Sequence, residues 1–313
     1  MIEIVARSGP MREAIRLADR VAATNANVLV TGESGAGKDA LALYIHSKSA
    51  RAQQSFVKID CATLPSGLLE AELFGYERGA FTGANEAKPG RLEAAHRGTV
   101  VLDEIAYLST DSQAKLLRVI ETKEFERLGG RKKIVVDARL IALTNVDLSD
   151  AVNRQSFRED LYYRLNVMHI VVPPLRERPE DLSDLARSFV KSYAAKHGRE
   201  TTGISKEALA LLAAYEFPGN VRELANTIER AVIISGGKHL DVADLPEPLR
   251  AAVGVERRRK QPQTLAEVEA DYVQEILKTA KGNKTEAARI LGISRKNLYE
   301  KLARPCPKSL KET

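Results

Sequence analysis

Gly32-Glu33-Ser34-Gly35-Ala36-Gly37-Lys38 follows directly on the apolar run Val28-Leu29-Val30, and Leu41, Tyr44 and Ile45 after it share one side of a helix. The segment fits GxxxxGK in the strand–loop–helix context that this motif requires. Its glycines let backbone N–H groups turn inward around phosphate oxygens, the helix N-terminus faces the anion, and Lys38 is placed to reach the β- and γ-phosphates. The bland alternative is an accidental glycine-rich turn, and the flanking strand and helix argue against it. Asp39 stands where Ser or Thr usually coordinates Mg²⁺, so placement of a metal must lean on other groups.

Further short apolar runs recur downstream: Phe56-Val57-Lys58-Ile59, Thr99-Val100-Val101-Leu102, Arg139-Leu140-Ile141-Ala142-Leu143 and Met168-His169-Ile170-Val171-Val172. Helical patterns separate them, such as Gln113–Ile120 with Leu116, Leu117 and Ile120 on one face. Strand–helix alternation predicts an α/β domain, a mostly parallel sheet with helices on both faces, over residues 1–172. Pro173-Pro174 cannot continue a central strand. Helical patterns at Pro179–His197, Ser205–Tyr215 and Asn220–Ser235 then predict a small helical subdomain over 173–250, its last helix ended by Gly236-Gly237.

Val100-Val101-Leu102-Asp103-Glu104 supplies the second half of a nucleotide site. An apolar strand ending in two carboxylates places Asp103 near Mg²⁺. Glu104, one residue on, is then positioned to polarise a water for attack on the γ-phosphate. Taken alone the pattern also fits a strand capped by surface acids. A phosphate loop about 65 residues upstream favours the catalytic reading.

Charge separates the end of the chain from its body. Residues 251–313 hold 14 of the 48 Lys and Arg but 8 of the 42 Asp and Glu, which leaves the first 250 residues neutral and the tail at +6. A basic tail suits a polyanion. Charge alone leaves a solvated surface equally open. Within the tail, 251–263 reads as a linker, and a third, all-α unit is expected over 264–305. Leu265, Val268, Tyr272, Ile276 and Leu277 form an apolar stripe, which Lys281-Gly282-Asn283 interrupts. Asn283 with Glu286 three residues on reads as an N-cap and its partner. Gly292 makes a turn, and Ser294 caps a last helix. Two short helices joined by a glycine turn form a helix-turn-helix whose second helix suits the major groove of double-stranded DNA. Arg295 and Asn297 are candidates for base edges, Lys296 and Lys301 for phosphates, with Ser294 and Tyr299 beside them. A helical hairpin for dimerisation is the alternative.

No stretch approaches a membrane span, and the N-terminal residues lack the basic start and apolar core of a signal peptide. Cys61 and Cys306, at opposite ends of the chain, make neither a disulfide framework nor a zinc cluster. The expected compartment is the cytoplasm, without a membrane partner.

Leu73-Phe74-Gly75-Tyr76-Glu77-Arg78-Gly79-Ala80-Phe81-Thr82-Gly83-Ala84 contains GAFTGA. This resembles the signature of bacterial enhancer-binding proteins, the AAA+ activators of sigma-54 RNA polymerase. The resemblance runs from Ser8 to Leu302. It implies that Gly79, Ala80, Phe81, Thr82, Gly83 and Ala84 form a mobile tip that touches sigma-54 on ATP binding, the glycines permitting unusual backbone angles around one aromatic contact. Glu124–Gly130 resembles the second surface loop, which supports the first. Thr144-Asn145 resembles sensor I, with the Asn145 amide reading the γ-phosphate. Arg158 and Arg164, in Phe157–Leu165, match arginine fingers that reach a neighbouring subunit's nucleotide. Arg222, in Phe217–Leu224, matches sensor II, and the last unit resembles the Fis-type DNA-binding domain.

The resemblance implies an ATPase with ATP and Mg²⁺ as its cofactors, assembled as a ring, a hexamer. The ring would bind upstream DNA and remodel the sigma-54 polymerase closed complex into the open one. Family members usually carry an N-terminal sensor or receiver domain, and here the core begins almost at Met1. The expected controller is therefore a separate regulatory protein, or the chain is a fragment. Two positions depart from the family pattern: Asp39 replaces the usual Glu, and Asp60 the usual Asn that restrains the catalytic Glu. A carboxylate at 60 facing Glu104 would repel it unless a proton or a cation lay between them. The rival functions are a DNA-binding repressor with a vestigial ATPase, opposed by intact Lys38, Asp103 and Glu104, and a generic AAA+ unfoldase or clamp loader, opposed by GAFTGA and the DNA module.

Overall fold

Alternation along the buried strands decides where the helices lie. In the computed structural model, which describes residues 4–251, 269–270, 272–274, 276–277, 280 and 282–303, five strands form one parallel sheet. They are β1 (Val28–Thr31), β2 (Phe56–Asp60), β3 (Thr99–Asp103), β4 (Arg139–Thr144) and β5 (Met168–Val171). Their spatial order is β2-β3-β4-β1-β5. Val28, Val30, Val101, Ile141 and Leu143 point to one face, where they pack on Met11, Ala14 and Ala18 of α1 (Gly9–Ala22) and Leu41 and Ile45 of α2 (Lys38–Ser47). Leu29, Val100, Leu102, Leu140 and Ala142 point to the other, against α3 (Ser66–Phe74), α4 (Thr110–Thr122) and α5 (Glu159–Leu165). Side chains of successive strand residues face opposite ways, so two-sided coverage requires the near-continuous apolar runs seen in the sequence. Burying each of the Val, Leu, Ile and Met side chains among them contributes about 1.5–3 kcal/mol.

Beyond β5 lie α6 (Pro179–His197), α7 (Lys206–Ala213) and α8 (Asn220–Ile234). Leu182, Ala186, Val190 and Ala194 recur every fourth residue on α6, and Leu224, Ile228 and Val232 do so on α8, which packs against it. The helical expectation is modified at one point, where Gly203–Ile204 pairs in parallel with His239–Leu240. Two residues are too few for a period to register in sequence.

The chain divides into two compact units that meet between Pro246 and Glu247. In the second, α9 (Lys284–Ile290) and α10 (Arg295–Ala303) close on Val273, Ala287, Ala288 and Leu298. Asn283 caps α9 as expected, accepting from the N–H groups of Thr285 and Glu286. The expected return contact from Glu286 does not form: its carboxylate takes two bonds from Arg289, at 3.1 and 2.7 Å. A bidentate guanidinium outcompetes a single backbone amide. The expected linker lies outside the described residues apart from Ala251, as do Leu265, Val268 and Lys281.

Candidate active site

Parallel strands bring their C-terminal ends to one edge, and the loop after β1 meets Asp103 and Glu104 there. A cleft of about 110 Å³ is lined by Ser34, Gly35, Gly37, Lys38, Asp39, Asp103, Glu104 and Arg222. Lys38 is buried, and its ammonium donates to the carbonyls of Gly32 (2.9 Å) and Glu33 (3.2 Å), 3.9 Å from Glu104 Oε1. Burial pushes its pKa down, against the pull of Glu104, Asp103 and Asp39.

Glu104 leaves β3 at φ 53°, ψ 49°, in the left-handed region. A non-glycine residue there costs on the order of 1 kcal/mol, a strain typical of functional sites. Its Oε2 accepts from the Asn145 backbone N–H at 3.2 Å. Asp60 Oδ1 accepts from Ala62 N–H at 2.9 Å, closing a turn within its own segment. A short acidic side chain commonly bonds its own backbone in this way. Burial, with help from Asp60 and Asp103, pushes the neighbouring Cys61 thiol up to about 12, which leaves it inert.

Beside the cleft, paired with two of the residues that line it, is a cation that sequence patterns did not mark. Lys58 Nζ lies 2.8 Å from Asp103 Oδ2 and 2.5 Å from Asp39 Oδ1. Burial lowers its pKa, but the two carboxylates outweigh that and hold it raised.

From the helical side, four residues grip the phosphate loop. Arg222 Nη1 donates to Ser34 Oγ (3.0 Å), and its N–H to Gly35 O (3.3 Å). Buried Asn220, at φ 54°, donates from Nδ2 to Ser34 O (3.1 Å) and Glu33 Oε2 (3.0 Å). Arg176 clasps Glu33 at 2.8 and 2.5 Å; its hydrogen bonds, with that from Asn220, pull the Glu33 carboxyl down to about 2. Buried Arg178 donates to Ala36 O at 2.5 Å, and desolvation lowers its pKa. Gly35 sits at φ +75°, and a Cβ there would lie 2.4 Å from Gly219 O, so only glycine fits.

Neither Arg158 nor Arg164 lines this cleft. Arg158 pairs with Asp160 at 3.0 and 2.7 Å, and Arg164 with Glu121 at 3.3 Å, both on the surface.

The 79–84 segment is a tight excursion. Gly79 N–H donates to Ala84 O (2.9 Å) and Ala84 N–H to Phe81 O (3.0 Å), with Gly79 and Gly83 at φ +82° and +101°. Phe81 is 41% exposed and meets Tyr76 edge-on at 4.9 Å. Below the tip, Arg127 joins three segments, donating to Glu93 (2.9 and 2.8 Å) and to Glu77 (3.1 Å). Arg127 belongs to the turn of the Glu124–Glu126/Lys133–Val135 hairpin, and Glu77 N–H bonds Leu128 O at 3.0 Å. The two loops thus share one base.

In the second unit Ser294 Oγ accepts from Asn297 N–H at 3.2 Å, and Arg295, Lys296 and Asn297 are exposed. Tyr299 lies under the Lys284 ammonium, 4.7 Å from its ring centroid, and Lys301 pairs with Glu269. Arg295, Lys296 and Asn297 carry no side-chain ion pair or hydrogen bond among the described residues.

The family described as "Sigma-54 interaction domain" matches residues 4–171. The chain belongs to this family. Residues 176–262 match the AAA+ ATPase lid domain, and 264–304 match the Fis family of bacterial regulatory proteins. The transcriptional regulatory protein FlbD of Caulobacter vibrioides is 45% identical over 96% of the chain and 69% of its own length. The regulatory protein AtoC of Escherichia coli is 44% identical over 96% and 67%. The crystal structure of NtrX from Brucella abortus in complex with ATP superposes with a TM-score of 0.75 at 33% identity, over 96% of the chain and 69% of that protein. This sigma-54-dependent activator thus combines an AAA+ ATPase core with a Fis-type DNA-binding helix-turn-helix.

Within the sigma-54 activator, the donor set at the cleft suits a hard cation: Asp39, in the first turn of α2, and Asp103, at the end of β3, already converge on one positive charge, the Lys58 ammonium. No cluster of three or more metal-binding side chains occurs among the described residues. Mg²⁺ is typically held by one or two carboxylates with waters and phosphates, which is what these oxygens offer.

Proposed function

We propose that the chain hydrolyses ATP with Mg²⁺ as a ring, a hexamer, and spends turnover on remodelling sigma-54 RNA polymerase from closed to open complex. Upstream DNA is held by the helix-turn-helix of residues 264–305. Residues 1–172 carry the chemistry and 173–250 form the lid. The observation that carries this reading is the exposed Phe81–Thr82 tip, built on the sheet domain whose strand ends form the cleft.

Gly32 to Asp39 wrap the phosphates, and Lys38 exchanges its carbonyl partners for phosphate oxygens. Asp103, with Asp39, would hold Mg²⁺, which would supply neutralisation of phosphate charge. Glu104 orients a water and takes its proton. The Asn145 segment fixes Glu104, and Arg222 places the lid over the phosphates. Arg158 and Arg164 face outward, where a neighbour in the ring would present its cleft. Their acid partners, both on the surface, are readily exchanged.

Thr82→Ala should keep at least about half of the ATPase activity, because no residue of the tip lines the cleft, while open-complex formation falls by about tenfold or more. In vitro transcription with sigma-54 polymerase reads the second quantity. Normal transcripts from this variant would remove the tip from coupling.

Deleting residues 251–313 should abolish footprints on upstream DNA and leave ATP turnover in place. Arg295→Ala alone should weaken specific binding by about 1–3 kcal/mol if it reads a base edge. Footprints that persist after the deletion would place DNA recognition elsewhere.

A further inference from the structure

Three elements converge on the Lys58 ammonium. Lys58 projects from the middle of β2, an edge strand; Asp39 lies in the first turn of α2; Asp103 ends β3. The separations are 2.5 and 2.8 Å, and the lysine side chain is 38% exposed. Two carboxylates drawn together in this way repel each other unless a positive charge lies between them. A divalent ion that enters with nucleotide needs the same oxygens, at about 2.0–2.1 Å. Such an ion and an ammonium cannot occupy that point together. The four-carbon stem of lysine is flexible and, at this exposure, has open solvent to swing into.

Building on the metal-dependent reading above, we infer that Lys58 is an internal counter-ion at the metal position. Mg²⁺ binding is then an exchange: the ammonium leaves Asp39 and Asp103 as the ion arrives, so Lys58 sets how strongly nucleotide binding depends on metal. Without metal, Lys58 shields the phosphates from two carboxylates and permits binding. With metal, it costs the ion part of its affinity, because two charge pairs must first be broken. Lys58 is a positioning residue here and takes no part in the chemical step.

The test is the dissociation constant of a fluorescent ADP analogue, mant-ADP, for the full chain in EDTA and in excess Mg²⁺. The readout is the ratio of the two constants, which requires no turnover. Lys58→Met should raise that ratio by about tenfold over wild type, the size expected for removal of one partly screened charge. Most of the change should come from weaker binding in EDTA. Lys58→Arg keeps the charge and should stay within about twofold of wild type. Circular dichroism and thermal melting in EDTA establish that the variants are folded, and Lys58→Gln replaces Lys58→Met if the latter is not. A folded neutral variant with an unchanged or smaller ratio overturns the inference and leaves an ordinary surface ion pair. If wild type and both variants bind mant-ADP with no gain from Mg²⁺, the metal-dependent reading falls as well. Metal enhancement that is present in wild type and unaltered by the substitutions sinks the counter-ion role alone.

Discussion

Glu104→Gln should bind ATP with nearly unchanged affinity and lose hydrolysis by about 10²–10⁴-fold, the usual contribution of a general base. Glutamine keeps an oxygen for the Asn145 N–H that holds Glu104 at 3.2 Å, so the left-handed turn after β3 survives. What it loses is the capacity to take a proton from water. Lys38→Ala has the complementary defect. The buried ammonium that donates to Gly32 and Glu33 carbonyls is the group poised to move onto phosphate oxygens, and without it nucleotide binding itself should fail. Equilibrium ATP binding and phosphate release, measured on both proteins, separate the two roles. Turnover by Glu104→Gln at the wild-type rate would take that residue out of the mechanism.

Arg164→Ala should reduce turnover by about 10³-fold or more, and the loss should be recoverable in trans. Arg164 is surface-exposed on α5, paired with Glu121, and Arg158 is likewise outside the cleft that holds Lys38. In a ring, a heterologous contact places one subunit's surface at the next subunit's site. Arg164→Ala then has a sound pocket and no finger for its neighbour, whereas Lys38→Ala has a sound finger and an empty pocket. Mixing these two inactive proteins should restore some ATPase activity, rising with concentration, because some interfaces pair an intact pocket with an intact finger. A mixture that stays inactive although mixed rings form would mean that the arginines serve their own subunit or only hold the interface.

The parts legible from sequence were those whose signal is local. The three central strands announced themselves because both faces of the sheet are covered there, so those runs had to be buried nearly throughout. The phosphate loop and Asp103-Glu104 carried their own context within a few residues. What escaped depends on contacts between distant segments. Lys58 looks like one polar interruption in a strand, and only the pairing of β2 with β3 sets it beside Asp103. Arg178 and Asn220 reach loop carbonyls 142 and 186 residues away, and no periodicity encodes that. The bond from Ala62 N–H to Asp60 Oδ1 is likewise invisible to a motif, a local competition that short acidic side chains often win.

The grip of the lid on the phosphate loop bears on how such proteins recombine. Gly35 lies so close to Gly219 that a side chain on it would strike the Gly219 carbonyl, and Asn220, Arg178 and Arg222 address main-chain oxygens of the loop. Bonds to main-chain atoms tolerate drift in the loop's side chains but not in its path. A chimaera with its crossover between the loop and residue 219 takes lock and key from different parents, and it closes only where both parents trace the same backbone. Exchange of whole cores, loop and lid together, leaves this fit intact.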